Sequence, residues 1–407
     1  MPLPPILEVF VVWHPDDADL GQKTADTLTS HFHSPTFSGL AGGAVEVYTR
    51  SEGWEREFGA PRPLGFMEPW PHGLPSAEFT AVVPILGTGL ARAYDDDEGW
   101  REYIDAVLEN NGKSGVGVYP VRDPDADISN SRMASAVGSV QTLHEKSATE
   151  GSTLCRDLSQ AIAQNISRRS GTLTPIKVFV SHTKHHSPDE LDTDGEVLFE
   201  KVRQILRSTH LDEFFDASDL QPGHRWEEVL ISEAGRCALL MVRTDKYAGR
   251  EWTQREVLIA KNHDLPIVVL YALRSGEERG SFLMDHLPAL PCNLDDPEPD
   301  IIKALNRIVE ESLKRELWLA QTVYMTEHGF DWLPVHAPEP VTAGGWLRLH
   351  QVEQPEDDHV WIVHPDPPLG SSERELVVEL CALAGYTEQV EIFTPRTFAA
   401  RGGRLPS

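Results

Sequence analysis

Cysteine is scarce. Cys155, Cys237, Cys292 and Cys381 are the only four in 407 residues, and none has a close partner or metal-ligand spacing. That pattern argues against a disulfide scaffold or a structural zinc site and fits buried thiols in a reducing cytoplasm. Basic residues are also few: 36 Lys and Arg stand against 64 Asp and Glu, a formal charge of -28. Such a surface repels a nucleic-acid backbone and an anionic membrane, so neither is expected as a partner. Long hydrophobic runs are missing too. The stretch from Leu265 to Leu273 is only about nine residues, against roughly 20 for a membrane-spanning helix. The opening Met-Pro-Leu-Pro-Pro has no basic n-region or cleavable apolar core, so no secretory signal is expected.

What is present is alternation. The length allows two to three domains, each able to bury its own core. Leu7 to Trp13 reads as a strand, Leu20 to Phe32 as a helix, Ala44 to Tyr48 and Phe79 to Leu86 as further strands. A helix around Trp100 to Asn110 and a strand from Gly115 to Pro120 follow. Strands interleaved with helices predict an α/β fold of parallel sheets flanked by helices. Glu52 to Ala77 carries five prolines and reads as an irregular surface loop. Helical spacing returns from Thr153 to Arg169, and Ser170-Gly-Thr-Leu-Thr-Pro175 stops it, giving a first domain over 1–172.

The chain also copies itself. "EVFVVWHPDD" from Glu8, "KVFVSHTKHH" from Lys177 and "HVWIVHPDPP" from His359 each run from a strand into a polar loop. The period of about 170 to 180 residues is that of a repeated fold, far longer than a solenoid repeat. Helical spacing from Asp300 to Lys314 closes a second domain over 173–321. Residues 322–358, rich in Pro, Gly and acidic groups with scattered Trp, read as a partly ordered linker, and 359–407 as a partial third copy. Two strands and one helix cannot bury a core alone, so that piece is either truncated or docked on the rest.

In the second copy, "KVFVSHTKHHS", "FFDASDLQPGHRWEEVL", "CALLMV", "YAGREWTQREVLIAK" and "LPIVVLY" follow one another in order. Together, over roughly a quarter of the chain, they resemble a Toll/interleukin receptor (TIR) domain. The resemblance implies flavodoxin-like sheets in repeated TIR-like units. In the NAD-cleaving branch of that family, the position matched by Glu256 carries the catalytic carboxylate, four residues after a Trp matched by Trp252. NAD is then a substrate, and no cofactor is implied. The first copy has Ile104 where Glu256 stands, after Trp100, and so resembles a degenerate member with an assembly or regulatory role.

Other residues carry both an ordinary and a functional reading. Glu256 could be a helix-surface carboxylate in an i,i+4 pair. Trp252, on the same helical face, is expected mainly to pack and orient that helix, or else to line the nicotinamide pocket. Ser181 and His182 follow the first strand, at the sheet edge where open α/β folds bind ligands. Lys184 and Arg225 could neutralise dinucleotide phosphates or be solvated charges. Pro222 and Gly223 demand a turn; the resemblance gives them a place in TIR–TIR contacts between copies, and gives Asp219 and Leu220 a part in the same loop and pocket. His182, His185 and His186 lack a Cys, Asp or Glu at ligand spacing, so no metal is expected.

The expectation is a cytoplasmic, self-associating NAD glycohydrolase, of the kind that serves as a prokaryotic defence or cell-death effector. A non-catalytic TIR assembly module in signalling is the alternative, and a transferase acting on nucleosides a third class. Fold by itself decides none of these.

Overall fold

The structure, a computed structural model, describes residues 6–37, 45–68, 77–138, 140–169, 176–183, 194–207, 209, 211–215, 237–277, 279–330, 332–333, 336–353, 359–364, 368–386 and 390–401. The chain divides into two units: 1–173 with 316–321 and 399–407, and 174–315 with 322–398.

In the first unit β1 (Leu7–Val12) leads through a short 3-10 turn into α1 (Ala18–Phe32), then β2 (Val45–Arg50), β3 (Phe79–Leu86), α2 (Thr88–Asp96) and α3 (Glu98–Glu109). It continues with β4 (Val116–Val118), β5 (Val121–Arg122), α4 (Arg132–Val137) and α5 (Gly151–Arg169). The strands run parallel in the order β2-β1-β3-β4, with β5 also on β3. β1 and β3 are buried at every residue, whereas the edge strand β2 is largely half-exposed. Unbroken apolar runs such as Phe79-Thr-Ala-Val-Val-Pro-Ile-Leu86 suit strands covered on both faces. Helix α2 was not evident in the sequence. Its start after Gly87 is held by Asp17, whose carboxylate accepts from the backbone N–H groups of Gly89 and Leu90 at 2.8 and 2.7 Å. That cap comes from 72 residues before Gly89 and leaves no local capping signal.

One histidine gives this unit a pH dependence. His31 on α1 packs its ring against Phe32 and Phe37 and sits 3.0 Å from the Ser159 hydroxyl. Burial pushes its pKa down to about 4. The unfolded chain therefore takes up a proton that the folded chain refuses, so the stabilisation is present above pH about 6.5 and drains away as pH falls toward 4. The expected loss is on the order of 3 kcal/mol by linkage. Denaturation of the wild type and His31→Gln between pH 7 and 4 checks it; the variant should show the shallower dependence.

The second unit opens with β6 (Lys177–Ser181), α6 (Asp194–Leu206), β7 (Asp212–Phe215) and β8 (Cys237–Arg243). Then come α7 (Glu251–Asn262), β9 (Ile267–Tyr271), β10 (Ala289–Pro291) and the 30-residue α8 (Glu298–Glu327). Its sheet is again parallel, in the order β7-β6-β8-β9-β10, which in sequence terms is 2-1-3-4-5. This is the flavodoxin-like order, with a topological switch between the first and third strands. One core lies on the α6 and α8 side, with Val178, Val180, Leu240 and Ile308; the other lies on the α7 side, with Phe179, Met241, Tyr247 and Val257.

The expected linker differs from the structure. Helix α8 continues to Glu327, past the domain end expected at 321, because its apolar spacing persists: Leu317, Trp318 and Met325 are all buried. Within 322–358, α9 (Ala343–Glu353) forms as well, and Trp346 donates its indole N–H to the His336 carbonyl at 2.9 Å. The remainder is β11 (Val360–Val363), α10 (Ser371–Leu383), β12 (Val390–Phe393) and α11 (Pro395–Ala400), with β11 and β12 paired in parallel. Leu347 of α9 joins Val360, Ile362, Val377, Cys381 and Ile392 in one core. The scattered aromatic residues that looked like linker content are packing residues. The piece is tied into its own unit by Lys261 of α7, which donates to Glu339 at 2.7 Å, and by His286 against Glu373. Cys237 and Cys381 are buried and Cys155 and Cys292 half-buried. Among the described residues no helix is long and apolar enough to cross a membrane.

Candidate active site at the carboxyl edge of the second sheet

β6 ends on Ser181, which is level with Met241 of the neighbouring β8. These are the first and third strands of the sheet, so Ser181 stands at the switch point. Alternation along a strand turns Ser181 to the same face as Phe179, toward α7. There its hydroxyl donates to Oε2 of Glu256 and lies 2.6 Å from Oη of Tyr247. Ser181 is 1% exposed, Glu256 1% and Tyr247 fully buried.

A serine hydroxyl carries one proton. Because Ser181 gives that proton to the carboxylate, Tyr247 donates to Ser181, and the chain of donors runs from phenol to serine to Glu256. Burial pushes the Tyr247 hydroxyl well above its usual pKa, the neighbouring Glu256 charge pushes the same way, and the Ser181 bond and Arg243 oppose them. The phenol thus stays protonated and able to donate.

The turn that carries Tyr247 is pinned to α7. Thr253 donates its hydroxyl to the Tyr247 carbonyl at 2.7 Å, and Gln254 donates its amide to the Ala248 carbonyl at 2.7 Å. Tyr247 N–H in turn donates to the Thr244 carbonyl at 3.0 Å. The backbone feeding the site is therefore closed by local bonds, and the position of Glu256 on α7 follows from them.

Trp252 and Glu256 differ in burial. Trp252 sits on the first turn of α7 and is 40% exposed, while Glu256, one turn and about 6 Å further along the axis, is enclosed. Tyr247 is an aromatic group linked to the carboxylate, through the hydroxyl of Ser181. In the first unit the matched Trp100 is fully buried and donates its indole N–H to the Phe58 carbonyl at 3.0 Å, with Ile104 in the same core.

His182 directly follows β6 but is turned away from Ser181. Being one residue beyond Ser181, it faces the other side of the sheet, where its ring stacks on Phe199 of α6 at 4.1 Å. Its Nδ1 lies 3.1 Å from the Thr183 carbonyl. Ser181 and His182 therefore do not converge. Lys184, Asp219, Leu220, Pro222, Gly223 and Arg225 lie outside the described residues, as do His185 and His186. Among the described residues no three His, Cys, Asp or Glu side chains converge on a point.

The network sets an order of stabilities. Ser181→Ala strips a bond from both Tyr247 and Glu256, which are buried, and is expected to destabilise by about 1–3 kcal/mol. Tyr247→Phe removes one hydroxyl at the end of the chain and is expected to cost about 0.5–1.5 kcal/mol. Urea denaturation of both variants checks the ranking; the reverse order would show that Ser181 is not the hub.

No family model and no curated protein matches this chain. One solved structure similar to it is the C-terminal domain of glucosamine-fructose-6-phosphate aminotransferase from Francisella tularensis. It is 10% identical, with 77% of this chain and 85% of that chain covered and a TM-score of 0.20, a likeness too slight to carry an argument.

Proposed function

We propose that the second unit cleaves the bond between ribose and nicotinamide in NAD, releasing nicotinamide and ADP-ribose or a cyclic variant of it. The observation that carries this reading is the carboxylate of Glu256, withdrawn from bulk solvent and held by a serine at the switch point of a parallel sheet. NAD has a cationic leaving group, so no strong acid is needed. As the C1′–N bond breaks, its electron pair goes to the nicotinamide ring and an oxocarbenium-like sugar is left. A carboxylate beside that sugar favours the positive transition state, and water adds to C1′ with loss of a proton. Low water content around the site strengthens the electrostatic effect. The TIR-like motif order supports the same substrate. Self-association through Pro222 and Gly223, and a defence or cell-death role, belong to this proposal as well.

A second reading is favoured by the same burial. A carboxylate that is 1% exposed and bonded to Ser181 can be a structural group, leaving the unit as a non-catalytic assembly module. Incubating the full chain with NAD and following nicotinamide release separates the two. The enzymatic reading expects release by the wild type; self-association with NAD left intact at high protein concentration supports the assembly module.

A further inference from the structure

The first unit has no carboxylate at the position of Glu256, but it carries an opposite charge at the same edge of its sheet. Arg50 is the last residue of β2, level with Val12 of β1. Its guanidinium lies 4.9 Å over the Phe10 ring, which is stacked on Tyr48. Nη1 donates to the Thr49 carbonyl at 2.9 Å, whereas Nε is buried with no acceptor. Among the described residues Arg50 makes no ion pair.

From the helix above, Tyr103 of α3 brings a second buried donor. Its side chain is in the same core as Phe10, the residue is 6% exposed, and its Oη is also without a hydrogen-bond partner. A second guanidinium, Arg62, lies over Trp54 at 5.1 Å and acts electrostatically on Arg50. Burial holds Arg50 below the ordinary guanidinium value, Arg62 adds to that, and Tyr103 and Glu8 act the other way.

Buried donors are rarely left unmade, and in the half-buried Arg50 it is the enclosed Nε that wants an acceptor. Among the described residues no carboxylate is paired with Arg50. Glu8 and Glu46 face the same side of the sheet but are level with each other, four residues before Val12 and Arg50, and Glu8 attracts Arg50 without pairing. A bridging water could satisfy Tyr103 but would leave the guanidinium charge uncompensated. One acceptor serves both Arg50 and Tyr103: an oxyanion. With Nη1 turned to Thr49, the Nε side of Arg50 is the side-on donor edge that meets two such oxygens.

We propose that Arg50 and Tyr103, with the charge of Arg62 acting on Arg50, form an anion-binding site in the first unit, which takes the phosphoryl or carboxylate group of a small ligand. Trp54, under Arg62, and Phe58 are 61% and 56% exposed in the loop after β2.

The test titrates the full chain with inorganic phosphate or with acetate, following heat release and melting temperature, against sodium chloride at matched ionic strength. A saturable response to phosphate or to acetate that chloride does not give is expected, and the anion that gives it identifies the headgroup. Arg50→Met should abolish the response, and Arg50→Lys, which keeps the charge but not the fork, should weaken it. Tyr103→Phe keeps the ring and should weaken it about tenfold, as for one bond to a charged group. The Lys and Phe variants keep the test readable if the Met variant fails to fold. The proposal is overturned if neither anion differs from chloride, or if folded Arg50→Lys and Tyr103→Phe both bind as the wild type does.

Discussion

Glu256→Gln is expected to lower NAD turnover by roughly 10²–10³, the usual effect of removing one electrostatic group that faces developing charge. The amide keeps the size of the carboxylate and an oxygen for the Ser181 proton, so geometry is preserved and only the charge goes. Stability should move the other way or not at all. Holding an ionised carboxylate at 1% exposure is unfavourable, and its neutral isostere escapes that desolvation. Loss of activity with equal or higher melting temperature is the signature of a group kept for chemistry at a cost in stability. A structural carboxylate predicts the reverse: turnover unaffected and the fold weakened. Glu256→Ala is a poorer probe, because it also leaves the Ser181 hydroxyl without its acceptor. Nicotinamide release and thermal melting on the same preparations decide the matter; turnover within threefold of wild type in the Gln variant removes Glu256 from the mechanism.

Much of the architecture was legible because apolar strands and amphipathic helices alternate with clear stops. Phe79 to Leu86 could be read as a covered strand, and that is how it folds. Glu256 was legible as a candidate from local spacing and motif order. Its partners were a different matter. Ser181 and Tyr247 are 66 residues apart and meet only through the pairing of β6 with β8, so no local pattern announces their hydrogen bond. Tyr247 left one weak trace, a large aromatic in the otherwise polar turn Thr244-Asp-Lys-Tyr-Ala-Gly-Arg250. The divergence of Ser181 and His182 was available from strand alternation alone. Helix α8 was cut short because the stretch from Thr322 on was read by its Pro-, Gly- and acid-rich composition, although Met325 continues the buried positions of Leu313, Leu317 and Trp318. The Asp17 cap on α2 is the same lesson: a donor–acceptor match made by tertiary structure has no sequence neighbourhood.

The other large effect is expected at Glu277. Arg243 ends β8, and its guanidinium grips both carboxylate oxygens of Glu277, Nε at 2.8 Å and Nη2 at 2.6 Å. The side chains are only 14% and 7% exposed, and the Tyr271 ring lies 5.2 Å beneath the cation. The Glu277 bond, more than anything else, raises the Arg243 pKa, so the charge on Arg243 is permanent. Glu277→Ala leaves that charge buried and unpaired and is expected to destabilise the second unit by about 3–5 kcal/mol. Because the pair is bidentate and largely withdrawn from solvent, added salt should change this little. Replacing both partners by apolar groups, Arg243→Met with Glu277→Leu, should recover most of the loss, since the cost comes from the orphaned cation and not from the missing attraction. The pair also has a place in the geometry of the site. Two residues after Arg243, Asp245 accepts from the backbone N–H groups of Arg274, Ser275 and Gly276 at 3.0, 3.0 and 3.2 Å, and two residues further on is Tyr247. Glu277 therefore clamps the far end of the loop that braces the Tyr247 turn. Urea denaturation of the single and double variants measures the coupling; a loss below about 1 kcal/mol for Glu277→Ala is the behaviour of a solvated surface pair, and would mean that the loop is held by the Asp245 bonds alone.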